Sequence, residues 1–85
     1  MEEYFLSPKY DYAKSFYNKA YVVEDDYSKR LYSYKTLVCE INEDVAYVYG
    51  TYSNTTLRHI KEFLKQNDFK AESKEQIIKD YFKER

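Results

Sequence analysis

TLVCEINEDVAYVYGT, residues 36–51, decides the fold. Its first half alternates: Leu37, Cys39 and Ile41 fall on one face of a strand, and Thr36, Val38 and Glu40 fall on the other. Asn42-Glu43-Asp44 is a short polar connection, and VAYVYGT resumes strand character. An antiparallel hairpin is therefore expected, although its loop lacks the glycine that tight hairpins favour.

Upstream, KAYVVE (residues 19–24) is rich in β-branched and aromatic residues and ends in the turn-like, acidic EDDYSK. RLYSY (residues 30–34) returns to strand chemistry, so the segment from Lys19 to Thr51 reads as an antiparallel sheet. Downstream, TTLRHIKEFLKQ (residues 55–66) places Leu57, Ile60, Phe63 and Leu64 on one helical stripe. Ser53 or Asn54 caps it, and Asn67 occupies the place where a left-handed residue often ends a helix. A second helix is expected over 73–83, opened by Ser73 with Gln76 three places on and carrying Ile77, Ile78, Tyr81 and Phe82. For the N-terminal piece, Ser7-Pro8 can start a short helix in which Ala13, Phe16, Tyr17 and Ala20 share a face. The same residues also suit an extended aromatic segment paired with the sheet.

This order of elements predicts an α+β fold in a single domain, residues 1–85. A small antiparallel sheet of three to four strands carries the two C-terminal helices packed on one face. Leu37, Cys39, Ile41, Ala46 and Val48 form the covered side, met by Leu57, Ile60, Phe63 and Leu64. Val38, Tyr47 and Tyr49 are left on the opposite side, where aromatic rings make a binding surface or an aggregation hazard.

The chain of 85 residues has a formal net charge of −1, so no basic excess points to nucleic acid or an anionic membrane. Twelve of its residues are tyrosines, whose rings pack but whose hydroxyls want water or a partner, so the aliphatic core is thin. One cysteine and one histidine allow no internal disulfide and make a poor metal set, and no cofactor is expected. MEEYFLSPKY has acids where a signal peptide needs bases, and no run approaches the ~20 apolar residues of a membrane helix. A reduced, cytoplasmic protein is expected.

Nothing here reads as an enzyme. His59 with Glu62 three residues later is a spacing typical of surface contacts, and general acid–base work needs a cleft and a tuned pKa. Cys39 sits on the core face, where a thiol behaves as a small hydrophobe. The single glycine excludes glycine-rich phosphate loops. The helix start is the better candidate. Unpartnered N–H groups, the hydroxyls of Thr55 and Thr56, the guanidinium of Arg58, and His59, with Tyr52 beside them, can hold a phosphate or a partner's carboxylate. The same residues can equally cap the helix, solvate its flank and pack His59 on the strands.

LYSYKTLVCEI and YSNTTLRHIKEFLKQNDF resemble a pattern of short uncharacterised proteins of phages and mobile elements of Gram-positive bacteria. In that family a "YSY-x-T-x-V" strand precedes a "YS-x-TT-x-RHI-x-EFLKQ" helix. The likeness covers Leu31 to Phe69 and falls on Tyr32, Ser33, Tyr34, Thr36, Tyr52, Ser53, Thr55, Thr56, Arg58 and His59. Its members often carry a glycine where this chain reads Asn42-Glu43-Asp44. The resemblance implies no activity. It does suit an accessory factor that binds a protein partner, as anti-CRISPR and other anti-defence proteins do, and a homodimer is compatible with it. The alternative is a nucleic-acid-binding module in which sheet aromatics stack on bases while Arg58, Lys61 and Lys65 meet phosphate. The acidic runs at 24–26 and 43–44 weigh against that alternative, because phosphate binders rely on a basic excess.

Overall fold

A computed structural model describes residues 1–50 and 52–83. Five strands, β1 (Glu2–Phe5), β2 (Ala20–Glu24), β3 (Ser28–Ser33), β4 (Thr36–Asn42) and β5 (Val45–Val48), precede α1 (Asn54–Gln66) and α2 (Lys74–Tyr81). The strands form one antiparallel sheet in the order β1-β2-β3-β4-β5, each paired with its neighbour in sequence. The α+β class is as expected, with one strand more than the upper expectation of four. The addition is β1, whose four residues EEYF are all exposed and so carry no buried alternation to mark them.

Residues 6–19 form no helix. Asp11 Oδ1 accepts the N–H of Ala13, and Ser15 Oγ accepts the N–H of Tyr17, so polar side chains capture the amides that a helix would need. Tyr17 and Asn18 then take left-handed backbone, and the segment is pinned at both ends by buried Leu6 and Phe16.

The predicted faces of β4 need one correction. Leu31 pairs with Cys39 while Tyr32 pairs with Leu37, so Val38 is an extra residue, a bulge. Beyond it the alternation flips. Val38 and Cys39 are both buried, whereas Leu37 turns to the side of Tyr32 and is half-buried. Cys39, Ile41, Ala46 and Val48 lie in the core as expected, against Ile60, Phe63 and Leu64 of α1 and Ile77 of α2.

Helix α1 begins and ends where its stripe and cap predict. Ser53 is the N-cap and its hydroxyl accepts from Thr56 N–H, though at a long 3.4 Å. At the far end Asp68, not Asn67, adopts the left-handed conformation, and the Asn67 side chain instead donates to the Phe63 carbonyl. Helix α2 stops at Tyr81, short of the expected 83, because Phe82 becomes extended and bridges Val48 in parallel. Of its expected stripe only Ile77 is fully buried.

Candidate partner-binding site

The helix start, the predicted site, is largely committed to its own fold. Thr56 and His59 are buried, and Ser33 Oγ links them, 3.1 Å from Thr56 Oγ1 and 2.8 Å from His59 Nδ1. Phe16 meets the imidazole edge-on at 4.7 Å between ring centres. Burial, with the Arg58 charge second, holds the His59 pKa below its ordinary 6.5, so the ring is neutral at pH 7. Arg58 is exposed but grips Asp11 with two N–H groups, one of them 2.9 Å from Oδ2. Hydrogen bonds from that guanidinium lower the Asp11 carboxyl to about 2. Thr55 stays exposed, and Tyr52 packs on the core, its ring 3.2 Å from where a Cβ on Gly50 would stand.

One further turn along α1, Glu62 is buried and accepts the N–H groups of Lys9 and Tyr10, each at 2.9 Å. Gln66 bonds both Glu62 and the Ser7 carbonyl. Positions 58, 62 and 66 share one helical face. The arginine, glutamate and glutamine of the TTLRHIKEFLKQ motif are therefore the clamp that holds the loop 6–19, a role their spacing in sequence gave no sign of.

Among the described residues, no helix covers the other side of the sheet. Pairing aligns Phe5, Tyr21, Tyr32 and Leu37 in one row across four strands, on the face away from Leu31 and Cys39. Together with Asn18, Lys19, Tyr34 and Lys35, the three aromatics of that row line a groove of about 600 Å³. A pocket of that size and apolar lining suits a ligand or a partner's side chains. Tyr47 and Tyr49 share this face: Lys83 Nζ lies 4.6 Å above the Tyr47 ring, and the Tyr49 hydroxyl donates to Glu40 at 2.7 Å.

Two turns form the rim of the groove. Tyr17-Asn18 (φ 51° and 62°) and Tyr34-Lys35 (φ 51° and 69°) are both left-handed, and the Tyr34 N–H donates to the Lys19 carbonyl between them. Tight hairpins take this conformation, normally with Asn-Gly, because a side chain there costs energy. Tyrosine and lysine are kept at a position where glycine would be easier, and such strain gathers at functional sites. Lys19 and Tyr34 also line a second depression of about 390 Å³, which reaches Thr55, Arg58 and His59 around the edge of the sheet. The predicted helix-start residues and the aromatic groove are thus neighbours, joined through Tyr34.

Charge divides the sheet along its strands. Lys19 and Lys35 stand at the groove end, and neither has an ion-pair partner among the described residues. The opposite end carries Glu2, Glu24, Asp25, Asp26, Glu43 and Asp44, partly offset by Lys29 and Arg30.

A family model, described as a family of unknown function (DUF8033), matches residues 4–79, from within β1 to within α2. The chain belongs to DUF8033. The DUF8033 match spans the loop, the clamp on α1 and every residue of the groove. No curated protein and no solved structure matches this DUF8033 chain. Among the described residues, no helix is long and apolar enough to cross a membrane.

Sequence reasoning missed Phe5, Tyr21 and Tyr32 as a set. Tyr21 and Tyr32 each neighbour a buried aliphatic, Val22 and Leu31, and that alternation was the available signal. Phe5 had none, because β1 itself was not legible.

Proposed function

We propose that this DUF8033 chain is a small, non-catalytic accessory protein of the cytoplasm that binds a protein partner through the uncovered face of its sheet. One observation carries the reading: Phe5, Tyr21 and Tyr32 lie in register across three strands at a groove whose rim is built from strained, side-chain-bearing turns. Tyrosine supplies large contact area with little entropy to lose, which is why it concentrates at interfaces. Tyr34 carries the surface toward Thr55 and Arg58, and Tyr47 and Tyr49 extend it across the sheet. Arg58 joins the contact while still bound to Asp11, or exchanges that carboxylate for one of the partner's.

The state of the two candidate catalytic groups supports binding over catalysis. His59 is a neutral, buried hydrogen-bonding group, and burial pushes the Cys39 thiol far up from its ordinary value. The likeness to short proteins of phages and mobile elements supports an accessory role, and inhibition of a host defence system such as CRISPR interference is the form of it we favour. The two free lysines beside aromatic rings also suit a nucleic-acid strand. The acids of the sheet oppose that, since a strand crossing the face would meet Glu3 and Glu40 on it and the acidic turns at its far end.

Affinity capture from an extract of the native cell, with and without nuclease, identifies the partner. A protein retained after nuclease and bound with weak salt dependence supports the proposal. Loss on nuclease treatment, or a steep log–log salt slope, would favour the nucleic-acid reading.

A further inference from the structure

The two edges of the sheet are treated differently. At the β5 edge the chain closes its own sheet: Phe82 bridges Val48 in parallel, and Lys83 N–H donates to the Val48 carbonyl at 2.9 Å. At the β1 edge nothing among the described residues lies beyond, and all four residues are exposed. The bond from Leu6 N–H to the Ala20 carbonyl sets the alternation of this strand. Glu2, Tyr4 and Leu6 therefore turn their backbone groups toward β2, and Glu3 and Phe5 turn theirs outward.

Edge strands are commonly blunted by shortness and charge, and the brevity of β1 with Glu2 and Glu3 fits that in part. Phe5 does not fit. It is half exposed at the very position whose N–H and C=O point outward, and its side chain lines the aromatic groove. A blunted edge would carry a charge or a proline there.

We infer that β1 is the site where an extended segment of the protein partner adds a sixth strand to the sheet. This rests on the proposed protein-binding function and gives its mode. Alternating N–H and C=O groups at strand spacing are completed by another polypeptide backbone and by nothing in a phosphate chain, which Glu2 and Glu3 would also repel. A strand added antiparallel sets an apolar residue beside Phe5 at the groove. Two residues further on, on the same face, a lysine or arginine meets Glu3. Backbone pairing supplies affinity, and the groove and the acidic end of the edge supply the choice of sequence.

The test uses the full chain and a displayed library of short random peptides. Selected binders should share an apolar residue two places before a basic one, and should slow amide exchange at Glu3 and Phe5. Glu3→Pro removes an outward N–H that no strand of the sheet uses, so circular dichroism and the denaturation midpoint should hold while peptide affinity falls about tenfold or more. Glu3→Ala keeps the amide and removes only the carboxylate, so it should weaken the selected peptides by about threefold to fivefold, distinctly less than Glu3→Pro, and should relax the demand for the basic residue. If Glu3→Pro binds normally while Tyr21→Ala does not, the groove stands and strand addition is wrong. If neither substitution matters, the face itself is wrong. Failure to select any binder, protection elsewhere, binding of an oligothymidylate that protects Glu3 and Phe5, or self-association on sedimentation that does so, would each overturn the inference.

Discussion

The Glu62 carboxylate in α1 accepts the backbone N–H of Lys9 at 2.9 Å, across 53 residues of sequence, and Tyr10 bonds its other oxygen at the same distance. A buried acid thus serves as the anchor for a loop that has no regular structure of its own. Glu62→Ala would leave two amides without acceptors, at roughly 1–3 kcal/mol each. Urea denaturation should show a loss on that scale. Amide exchange should also quicken at Lys9 and Tyr10 before the sheet opens, and an unchanged midpoint would remove Glu62 from the account of the loop.

His59 makes stability depend on pH. Its folded pKa lies below the ordinary 6.5, so the unfolded chain binds the proton more readily. Stability from this group is present above the unfolded value and is lost as pH falls below it. Asp11, held at about 2, has its own loss at far lower pH and does not confuse that window. Denaturation from about pH 7 down to about pH 5 should show falling stability, and His59→Gln should flatten the slope.

The bulge at Val38 separates two neighbours of similar size. Val38 is buried and Leu37 is half-buried, so Val38→Ala should cost roughly 1.5–3 kcal/mol and Leu37→Ala distinctly less. The reverse order, measured by thermal unfolding of the two variants, would restore the plain alternation of β4.

Lys35 holds a left-handed φ of 69° at the rim of the groove. Lys35→Gly should relieve strain and stabilise the chain by roughly 1 kcal/mol, while removing one of the two unpaired charges at the site. A higher melting temperature together with weaker partner binding is the expected pair of results. A lower melting temperature would show that the lysine side chain has a structural role.

How much of this was legible follows the range of the interactions. The bounds of α1 are local, set by a periodic stripe and the Ser53 cap, and the sequence predicts them correctly. The faces of β5 are equally local: alternation places Tyr47 and Tyr49 on the uncovered side. The bulge depends on the register between Leu31 and Cys39, which alternation within β4 cannot reveal. Strand β1 is exposed throughout and exists because β2 pairs with it, so it has no pattern of its own. For the same reason Arg58 reads as a solvated side chain and Glu62 as a surface neighbour of His59 until the loop they hold is seen beside them. Residues 51, 84 and 85 lie outside the described residues, and with them the expected Thr51 end of the last strand.

The central claim is that the partner is held by the uncovered aromatic face and not by exposed tyrosines at large. Isothermal titration of the captured partner against wild type, Tyr32→Ala, and Tyr12→Ala in the loop tests it most directly. Tyr32 lines the groove, whereas Tyr12 is fully exposed on the helical side. Tyr32→Ala should weaken binding about tenfold or more, and Tyr12→Ala should stay within about twofold. Equal affinities for wild type and Tyr32→Ala, with both variants folded, would contradict the account.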